Sequence, residues 1–240
     1  MVTLEMSDPE PEPSPARTPL SRERVLRGAM AVADDGGLTA LTIRSLAQHL
    51  GVKPMAVYHH VANKEAILDG IVDLVFAEFA VPSPGGDWRA EMRRRSLSVR
   101  NVLRVHPWAI PLLQSRTNPG PATVRHLDAN IGTLREAGFS VEMTAHAYAL
   151  IDSYVYGFAL SEASLPINGP ETVAEVAGPM MEMIPAADFP YLAEFSAEHV
   201  MRPDYDFGRE FEFGLDLVLD GLDARVNGTD PDLRPRSKRQ

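Results

Sequence analysis

Apolar residues recur every three or four positions along most of the chain, the spacing that places them on one face of an α-helix. This pattern predicts helices between Ser21 and Gly36, between Thr42 and Gly51, from Pro54 to about Val61 and from Asn63 through Phe79, then at about 87–105, 107–115, 120–137, 140–163, 171–184, 189–200 and 206–226. No segment between residues 17 and 227 sustains the two-residue alternation of a strand. We therefore predict an all-α protein.

The ends of the first helices carry recognisable signals. Ser21 and Thr42 are residues of the type that caps a helix N-terminus with its side-chain oxygen. Glycine ends helices well, and Gly36–Gly37 and Gly51 stand where two helices should stop. Pro54 suits the first position of the third helix, where no backbone N–H is needed. These signals favour several short helices near the N-terminus over one long helix.

The pattern also predicts the division of the chain. Residues 1–19 are rich in proline and glutamate and are expected to be a disordered tail. Residues 20–66 are expected to form a small helical domain, and residues 67–227 a larger one. The break at Pro82–Gly86 is a second candidate boundary. Residues 228–240 end in a basic segment that we also expect to be disordered.

Residues 42–64 read TIRSLAQHLGVKPMAVYHHVANK and predict a helix-turn-helix. Ala47 is small enough for two helices to approach closely, and Gly51 permits the left-handed backbone of a sharp turn. Val52, Val57 and Val61 would hold the third helix against the core. The outward side and the start of that helix are left with Lys53, Met55, Ala56, Tyr58, His59 and His60. A recognition helix presents such residues to the DNA major groove.

The charge distribution modifies this picture only slightly. The 240 residues carry a net charge of −10, which argues against a general nucleic-acid coat protein. Residues 17–70, however, hold seven Lys/Arg against five Asp/Glu, a local balance of +2. Cysteine is absent, which excludes a disulfide framework, an iron–sulfur cluster and thiolate zinc sites. With neither a secretory signal nor a membrane-spanning run, we expect a cytoplasmic protein.

The helix-turn-helix and its flanks resemble the tetracycline-repressor (TetR) family. The resemblance rests on LTALTIRSLAQHLGVKPMAVYHHVANKEAILDGIVD, with its Leu-Ala-x-x-Leu-Gly-Val core, Tyr58 and His60, and the Asn-Lys-Glu start of helix four. A second, weaker resemblance over residues 104–163 is to the C-terminal domain of the tetracycline repressor subtype. The family implies a sequence-specific DNA-binding transcription regulator, usually a repressor that a small-molecule ligand releases from double-stranded operator DNA.

The resemblance also implies roles for individual residues. Arg44 matches a base-reading position, Ala56 and Tyr58 match groove and phosphate contacts, and Lys64 matches a phosphate contact. Pro54 replaces a base-reading glutamine and cannot make the same hydrogen bond, so the operator sequence is expected to differ. The full set of candidate DNA-binding residues is Thr42, Arg44, Lys53, Pro54, Met55, Ala56, Tyr58, His59, His60 and Lys64.

Two later helices carry so many apolar residues that we expect a second chain to bury part of their surface. The helix at 140–163 is apolar nearly all round, and the last helix has a stripe of Phe211, Leu215, Val218 and Leu222 beside Gly214 and Gly221. Ordinary packing within one chain would also account for this pattern. By the resemblance, the two helices form a four-helix interface, and we expect a homodimer.

Polar residues scattered among the apolar ones are candidates for a ligand pocket. They are His106, Trp108, His126, Asn130, His146, Tyr148, Asp152 and Tyr156. Met180, Met181 and Met183 could adapt to a ligand or simply pack. The tetracycline–magnesium environment of the family's founding members is not recognisable around residues 113–118, which argues against a tetracycline sensor.

Two other functions remain open at this stage. An activator would use the same DNA-binding module, and only the position of its operator would distinguish it from a repressor. An all-α metal-dependent enzyme would need ligand spacings such as His-Glu-x-x-His, and the chain contains none, nor a phosphate-binding glycine loop or a nucleophile motif. We therefore expect a regulator without catalytic residues, metal or cofactor.

Overall fold

The fold was analysed in a computed structural model that describes residues 19–165 and 185–228, together with residues 175, 176, 178, 179 and 183. The helices are α1 (Arg22–Ala40), α2 (Ile43–Leu50), α3 (Pro54–Tyr58), α4 (Lys64–Glu78), α5 (Trp88–Val105), α6 (Ile110–Leu113), α7 (Pro121–Glu136), α8 (Val141–Ser164), α9 (Pro190–Phe195) and α10 (Phe207–Val226). A 3₁₀ turn (Pro107–Ala109) precedes α6, and a π-helical turn (Ser196–Val200) follows α9. No strand occurs in these residues. The prediction of an all-α protein is confirmed.

Most predicted helix ends lie within a residue or two of the observed ones. The side chains of Ser21, Asn63 and Ser140 each accept a hydrogen bond from a backbone N–H three residues later, as the capping argument expects. Gly37 adopts φ 71° and ψ 179°, so the main part of α1 ends there and one further turn follows. Almost all of the predicted tails at 1–19 and 228–240 lies outside the described residues, which include only residues 19 and 228 of them. Most of the predicted helix at 171–184, with Met180 and Met181, also lies outside the described residues.

The predicted end of the third helix was wrong. We expected it to reach Val61, but α3 ends at Tyr58. The backbone N–H groups of His60 and Val61 both donate to the carbonyl of Val57, so the chain turns instead of continuing the helical ladder. Val61 still reaches the core, with 5% of its surface exposed.

The N-terminal helices enclose a small apolar core. Val25, Ala29, Leu46 and Val57 are fully or almost fully buried where α1, α2 and α3 meet. α1 also packs on α4, which continues without a break from Lys64 to Glu78 across the expected boundary at residue 66. α4 therefore links the small domain to the larger one as one continuous helix.

The larger part is built around α5, α7 and α8, with α4 on one side and α10 on the other. Val99, Leu103, Ile151 and Val155 lie at its centre. Among the described helices, none is long and apolar enough to span a membrane. The layered helices thus place α4 between the N-terminal core and the interior of the larger domain.

Candidate nucleic-acid interface and buried polar cluster

The turn between α2 and α3 is held by local interactions. Thr42 Oγ1 accepts a hydrogen bond from Ser45 N at 3.0 Å, and Ser45 Oγ accepts one from Thr42 N at 2.9 Å. At the other end of α2, Gly51 adopts φ 68° and ψ 34°, a left-handed conformation that side chains other than glycine disfavour. Both ends of α2 are therefore fixed, and α3 begins at a defined angle after three residues.

One face of α3 is buried and the opposite face is open. Val57 is fully buried, whereas Met55 is 69% exposed and Tyr58 is 45% exposed. Pro54 stands at the first helical position, as predicted. This five-residue helix therefore presents its start and one side to solvent.

The ten candidate DNA-binding residues are distributed over α2, α3 and the start of α4. Exposed side chains are those of Thr42, Arg44, Lys53, Pro54, Met55, Tyr58, His59 and Lys64, while Ala56 and His60 are half-buried. The hydroxyl of Thr42 also caps α2. Three exposed cations, Arg44, Lys53 and Lys64, therefore lie on the same short stretch of chain as the exposed Tyr58.

A second group of polar residues is buried between α5, α7 and α8. We call Arg95, His126, Asn130, Tyr148, Asp152 and Tyr156 the Arg95 cluster. Arg95 is only 1% exposed, and its Nη1 lies 2.6 Å from Asp152 Oδ1. Its Nε donates a hydrogen bond to His126 Nε2 at 3.1 Å. A buried charge is costly unless it is paired, and Asp152 supplies that pairing.

The surroundings determine the protonation of this cluster. Burial, assisted by the positive charge of Arg95, lowers the pKa of His126 to about 3, so the imidazole is neutral near pH 7. Because Nε2 accepts a hydrogen bond from Arg95, the remaining proton of the ring belongs on Nδ1. Burial, followed by the charge of Asp152, raises the pKa of Tyr148 and of Tyr156, so both phenols keep their protons.

Several buried polar atoms of this region have no hydrogen-bond partner among the described residues. They are Arg95 Nη2, Ser96 Oγ, His126 Nδ1 and Asn130 Oδ1. Asp152 Oδ1 has no hydrogen bond either, but it makes the ion pair with Arg95 Nη1. Buried polar groups are normally satisfied, so unsatisfied ones call for an explanation such as a ligand or an ordered water. Phe76 of α4 and Phe79, the residue that follows α4, contact the His126 ring edge-on, with ring centroids 5.6 and 5.4 Å away. The cluster therefore places unpaired donors and an unpaired acceptor beside two aromatic rings.

His106 and Trp108 lie outside this cluster. His106 Nδ1 is 2.6 Å from Asp34 Oδ1, and Trp108 Nε1 donates to the same oxygen at 2.6 Å. His106 Nε2 is 3.3 Å from Glu78 Oε2. These two residues tie α1 and the end of α4 to the turn before α6, because Asp34 and Glu78 occupy their polar atoms.

His146 is also separate, on the exposed side of α8. It lines a groove of about 380 Å³ between α8 and α10 with Met143, Leu150, Leu217, Val218, Gly221, Leu222 and Arg225. Large apolar side chains remain exposed on the same two helices: Val141 (73%), Leu150 (47%), Leu160 (54%), Phe213 (66%) and Leu217 (58%). Of the eight candidate ligand residues, the structure brings together five.

Arg95 was not among the residues singled out from the sequence, although a signal for it exists. Met92, Val99 and Leu103 mark the buried face of α5, and Arg95 occupies a position on that same face. A charged residue at a core position is unusual and indicates a buried partner. Within the part of the chain that the structure describes, no group of three or more His, Asp or Glu side chains could hold a metal ion.

Comparison with known proteins adds the evolutionary relationship. A family model described as bacterial regulatory proteins of the tetR family matches residues 25–71, and one described as the tetracyclin repressor-like C-terminal domain matches residues 81–226. The chain belongs to the TetR family. The two matches confirm the resemblance of the helix-turn-helix and that of the C-terminal domain, and the chain is a DNA-binding transcription regulator.

Individual TetR-family proteins are similar over nearly the whole length. The HTH-type transcriptional repressor DrrR1 of Streptomyces coeruleorubidus is 32% identical over 88% of this chain and 82% of its own. The class A tetracycline repressor from transposon 1721, of Escherichia coli, is 32% identical over 87% of this chain and 93% of its own. The solved structure of ActR from Streptomyces coelicolor in complex with actinorhodin has a TM-score of 0.73 and 28% identity, covering 88% of this chain and 99% of that one.

Proposed function

We propose that the chain is a dimeric cytoplasmic repressor that binds a two-fold symmetric operator through α3 and releases it when a small molecule occupies the Arg95 cluster. The observation that carries the proposal is the exposed face of α3, where Tyr58 and Met55 project from a helix whose other side is anchored by Val57. A recognition helix needs this combination of rigid attachment and open surface.

The surrounding charges favour DNA as the partner of this surface. Arg44, Lys53 and Lys64 are exposed on α2, before α3 and at the start of α4. Cations placed around a groove-reading helix fix the position of the protein through the phosphates, while the residues of the helix read the bases. Pro54 cannot donate a hydrogen bond to a base from its backbone nitrogen, so discrimination would fall on Arg44, Met55 and Tyr58.

The apolar groove between α8 and α10 supports a homodimer. Leu150, Leu217 and Phe213 are exposed on this face. Contiguous exposed apolar side chains of this kind mark protein–protein interfaces. Pairing the same face of two chains would bury these side chains and form a four-helix interface with two-fold symmetry. It would also present two copies of α3 to two half-sites about one helical turn apart.

The Arg95 cluster supports an effector with specific chemistry. Arg95 Nη2 and His126 Nδ1–H are donors, and Asn130 Oδ1 is an acceptor. A molecule with a carbonyl or phenolate oxygen for the donors and a hydroxyl group for Asn130 would satisfy all three. The rings of Phe76 and Phe79 favour a planar aromatic body. The complex of the related ActR with actinorhodin is a precedent within the family for a small-molecule ligand.

A genome-wide binding map in the source organism tests the proposal. We expect a small number of sites upstream of genes, each an inverted repeat, and purified protein should shift the same DNA with an affinity that falls steeply as salt rises. Sites that overlap promoters would support repression, whereas sites upstream of promoters with lower transcription in a deletion strain would indicate an activator. Absence of any specific shift at low salt would refute DNA-directed regulation.

A further inference from the structure

The acidic residues of α4 contact the segment that joins α5 to α7 and the first turn of α7. Arg116 contacts Glu65 and Asp69, Asn118 Nδ2 donates to Asp69 Oδ2 at 3.2 Å, and the backbone N–H of Thr123 donates to Asp73 Oδ1 at 2.8 Å. Further along, Glu78 meets His106. The larger domain thus contacts α4 along its length through hydrogen bonds and ion pairs.

Arg116 is the member of this set that reaches the end of α4 nearest the recognition helix. Its Nη1 donates to Glu65 Oε2 at 2.8 Å and its Nε donates to Asp69 Oδ1 at 2.6 Å. The Arg116 side chain is only 18% exposed, whereas that of Glu65 is 66% exposed. Arg116 lies about 50 residues further along the chain than its partners, in the larger domain. A movement of the larger domain relative to α4 would therefore move Arg116 relative to Glu65.

If the proposed function holds, Glu65 lies next to the phosphates of the bound DNA. It follows Lys64, which we assign to a DNA phosphate, and it lies in the first turn of α4. A carboxylate there suits the helix dipole but repels a phosphate backbone. The guanidinium of Arg116 offsets this charge through its Nη1 contact with Glu65 Oε2, while its Nε and Nη2 contact Asp69. One arginine can contact both carboxylates because it offers several donors in a fixed plane.

We propose that Arg116 is a positioning residue for operator binding, through which the larger domain neutralises Glu65 and fixes the first turn of α4 beside the DNA phosphates. The inference rests on the proposed function of α3 and Lys64 and adds to it a route by which the larger domain controls operator affinity. Any movement that withdraws Arg116 from α4 leaves an uncompensated carboxylate next to the phosphates. Operator release then follows without rearrangement of α3 itself.

A charge cycle on the dimeric protein tests this inference. Operator affinity is measured by fluorescence anisotropy for the wild type, Arg116→Gln, Glu65→Gln and the double variant, with Arg94→Gln as the matched control. Arg94 forms an ion pair with Glu91 on α5 and has no part in the proposal. Circular dichroism and a mass measurement in solution establish that each variant is folded and dimeric.

We expect Arg116→Gln to weaken operator binding about tenfold at about 50 mM salt and about threefold at about 200 mM, because screening reduces the repulsion of Glu65. Glu65→Gln should bind at least as tightly as the wild type, and the double variant should return to within about twofold of it. Wild-type affinity in Arg116→Gln, or a double variant as weak as Arg116→Gln, would overturn the inference.

Arg116→Lys keeps the test decisive if Arg116→Gln does not fold. Lysine retains the charge but not the forked donors, so we expect a loss of about threefold or less, and a loss above about tenfold in a folded dimer would contradict charge neutralisation. Failure of the proposed function gives a different result. In that case the wild type itself would not bind specifically, or Lys64→Ala would leave its affinity unchanged.

Discussion

Arg95 Nη1 lies 2.6 Å from Asp152 Oδ1 in the interior of the larger domain, where the two side chains are 2% and 8% exposed. The pair joins α5 to α8, and His126 of α7 accepts a further hydrogen bond from Arg95. Three helices of the larger domain therefore meet at one guanidinium. Among the residues that the structure describes, Asp152 is the one carboxylate in direct contact with it.

Removal of that carboxylate should destabilise the fold strongly. Asp152→Asn leaves the buried guanidinium without a counter-charge, and we expect a loss of about 3–5 kcal/mol in the free energy of unfolding. Replacement of both partners, as Arg95→Met with Asp152→Leu, should cost much less because no unpaired charge remains. Urea unfolding at one fixed protomer concentration measures both, and a loss under about 1 kcal/mol for Asp152→Asn would contradict the pairing.

The depressed pKa of His126 predicts a loss of stability in mild acid. The pKa is lowered to about 3 in the folded protein, whereas the unfolded chain binds the proton near pH 6.5. Below about pH 6.5 the unfolded state therefore gains protons that the folded state does not take up, and stability falls by about 1.4 kcal/mol per pH unit. Above that pH both states hold a neutral imidazole and the effect vanishes.

His126→Gln, which keeps an acceptor for Arg95 without titrating, should show a weaker loss of stability between pH 7.5 and 5.0 than the wild type. The expected difference is about 2 kcal/mol in urea unfolding. His59→Gln is the control, since His59 is exposed and belongs to neither the Arg95 cluster nor the groove between α8 and α10. An identical pH dependence in the wild type and His126→Gln would show that His126 is not buried in its neutral form.

Asn130 should govern the response to the effector without affecting operator binding. Its Oδ1 is buried and unpartnered, while its Nδ2 donates to the carbonyl of His126. A reporter strain carrying the operator would be screened with hydroxylated aromatic ketones and quinones. A compound that induces the wild type should induce Asn130→Ala about five- to thirtyfold less well, because a lost hydrogen bond in a buried site costs roughly 1–2 kcal/mol.

Asp128→Ala provides the control for this screen, since Asp128 lies on the exposed side of the same helix. Equal induction of Asn130→Ala and the wild type by every active compound would place the effector elsewhere. For this comparison, Asn130→Ala and Asp128→Ala must bind the operator with equal affinity in the absence of a compound.

Leu217→Glu should abolish the dimer. Leu217 is 58% exposed on α10 and lines the groove between α8 and α10. A charge at the centre of a paired apolar face would have to be buried without a partner, which is strongly unfavourable. We expect a monomer in analytical ultracentrifugation and a severe loss of operator affinity. Val124→Glu, at a 51% exposed site on α7, should leave a dimer, and a dimeric Leu217→Glu would exclude this face as the interface.

The sequence was informative wherever structure depends on neighbouring residues. The caps at Ser21 and Thr42 and the left-handed turn at Gly51 follow from local chemistry, and all three were predicted. The end of α3 was missed because it depends on a turn closed by the carbonyl of Val57. Periodicity alone continues through Val61, since a buried residue can follow a helix as well as belong to it.

Long-range pairing could not be read in the same way. His106, His126 and His146 all stand on helical segments or next to them, yet one meets Asp34, one meets Arg95 and one faces the α8–α10 groove. These outcomes depend on how far each helix is rotated about its axis and on which helix packs against it. Neither quantity is determined by the residues of a single helix.

The most direct test of the account is the operator affinity of Tyr58→Ala and Lys64→Ala, measured by fluorescence anisotropy on a mapped site with each protein shown to be folded and dimeric. Arg125→Ala, an exposed cation on α7, is the control. We predict that each variant loses about 1–3 kcal/mol of binding free energy, that Lys64→Ala also shows a shallower dependence on salt, and that the control is unchanged. Wild-type affinity in both variants would contradict the assignment of this surface to DNA.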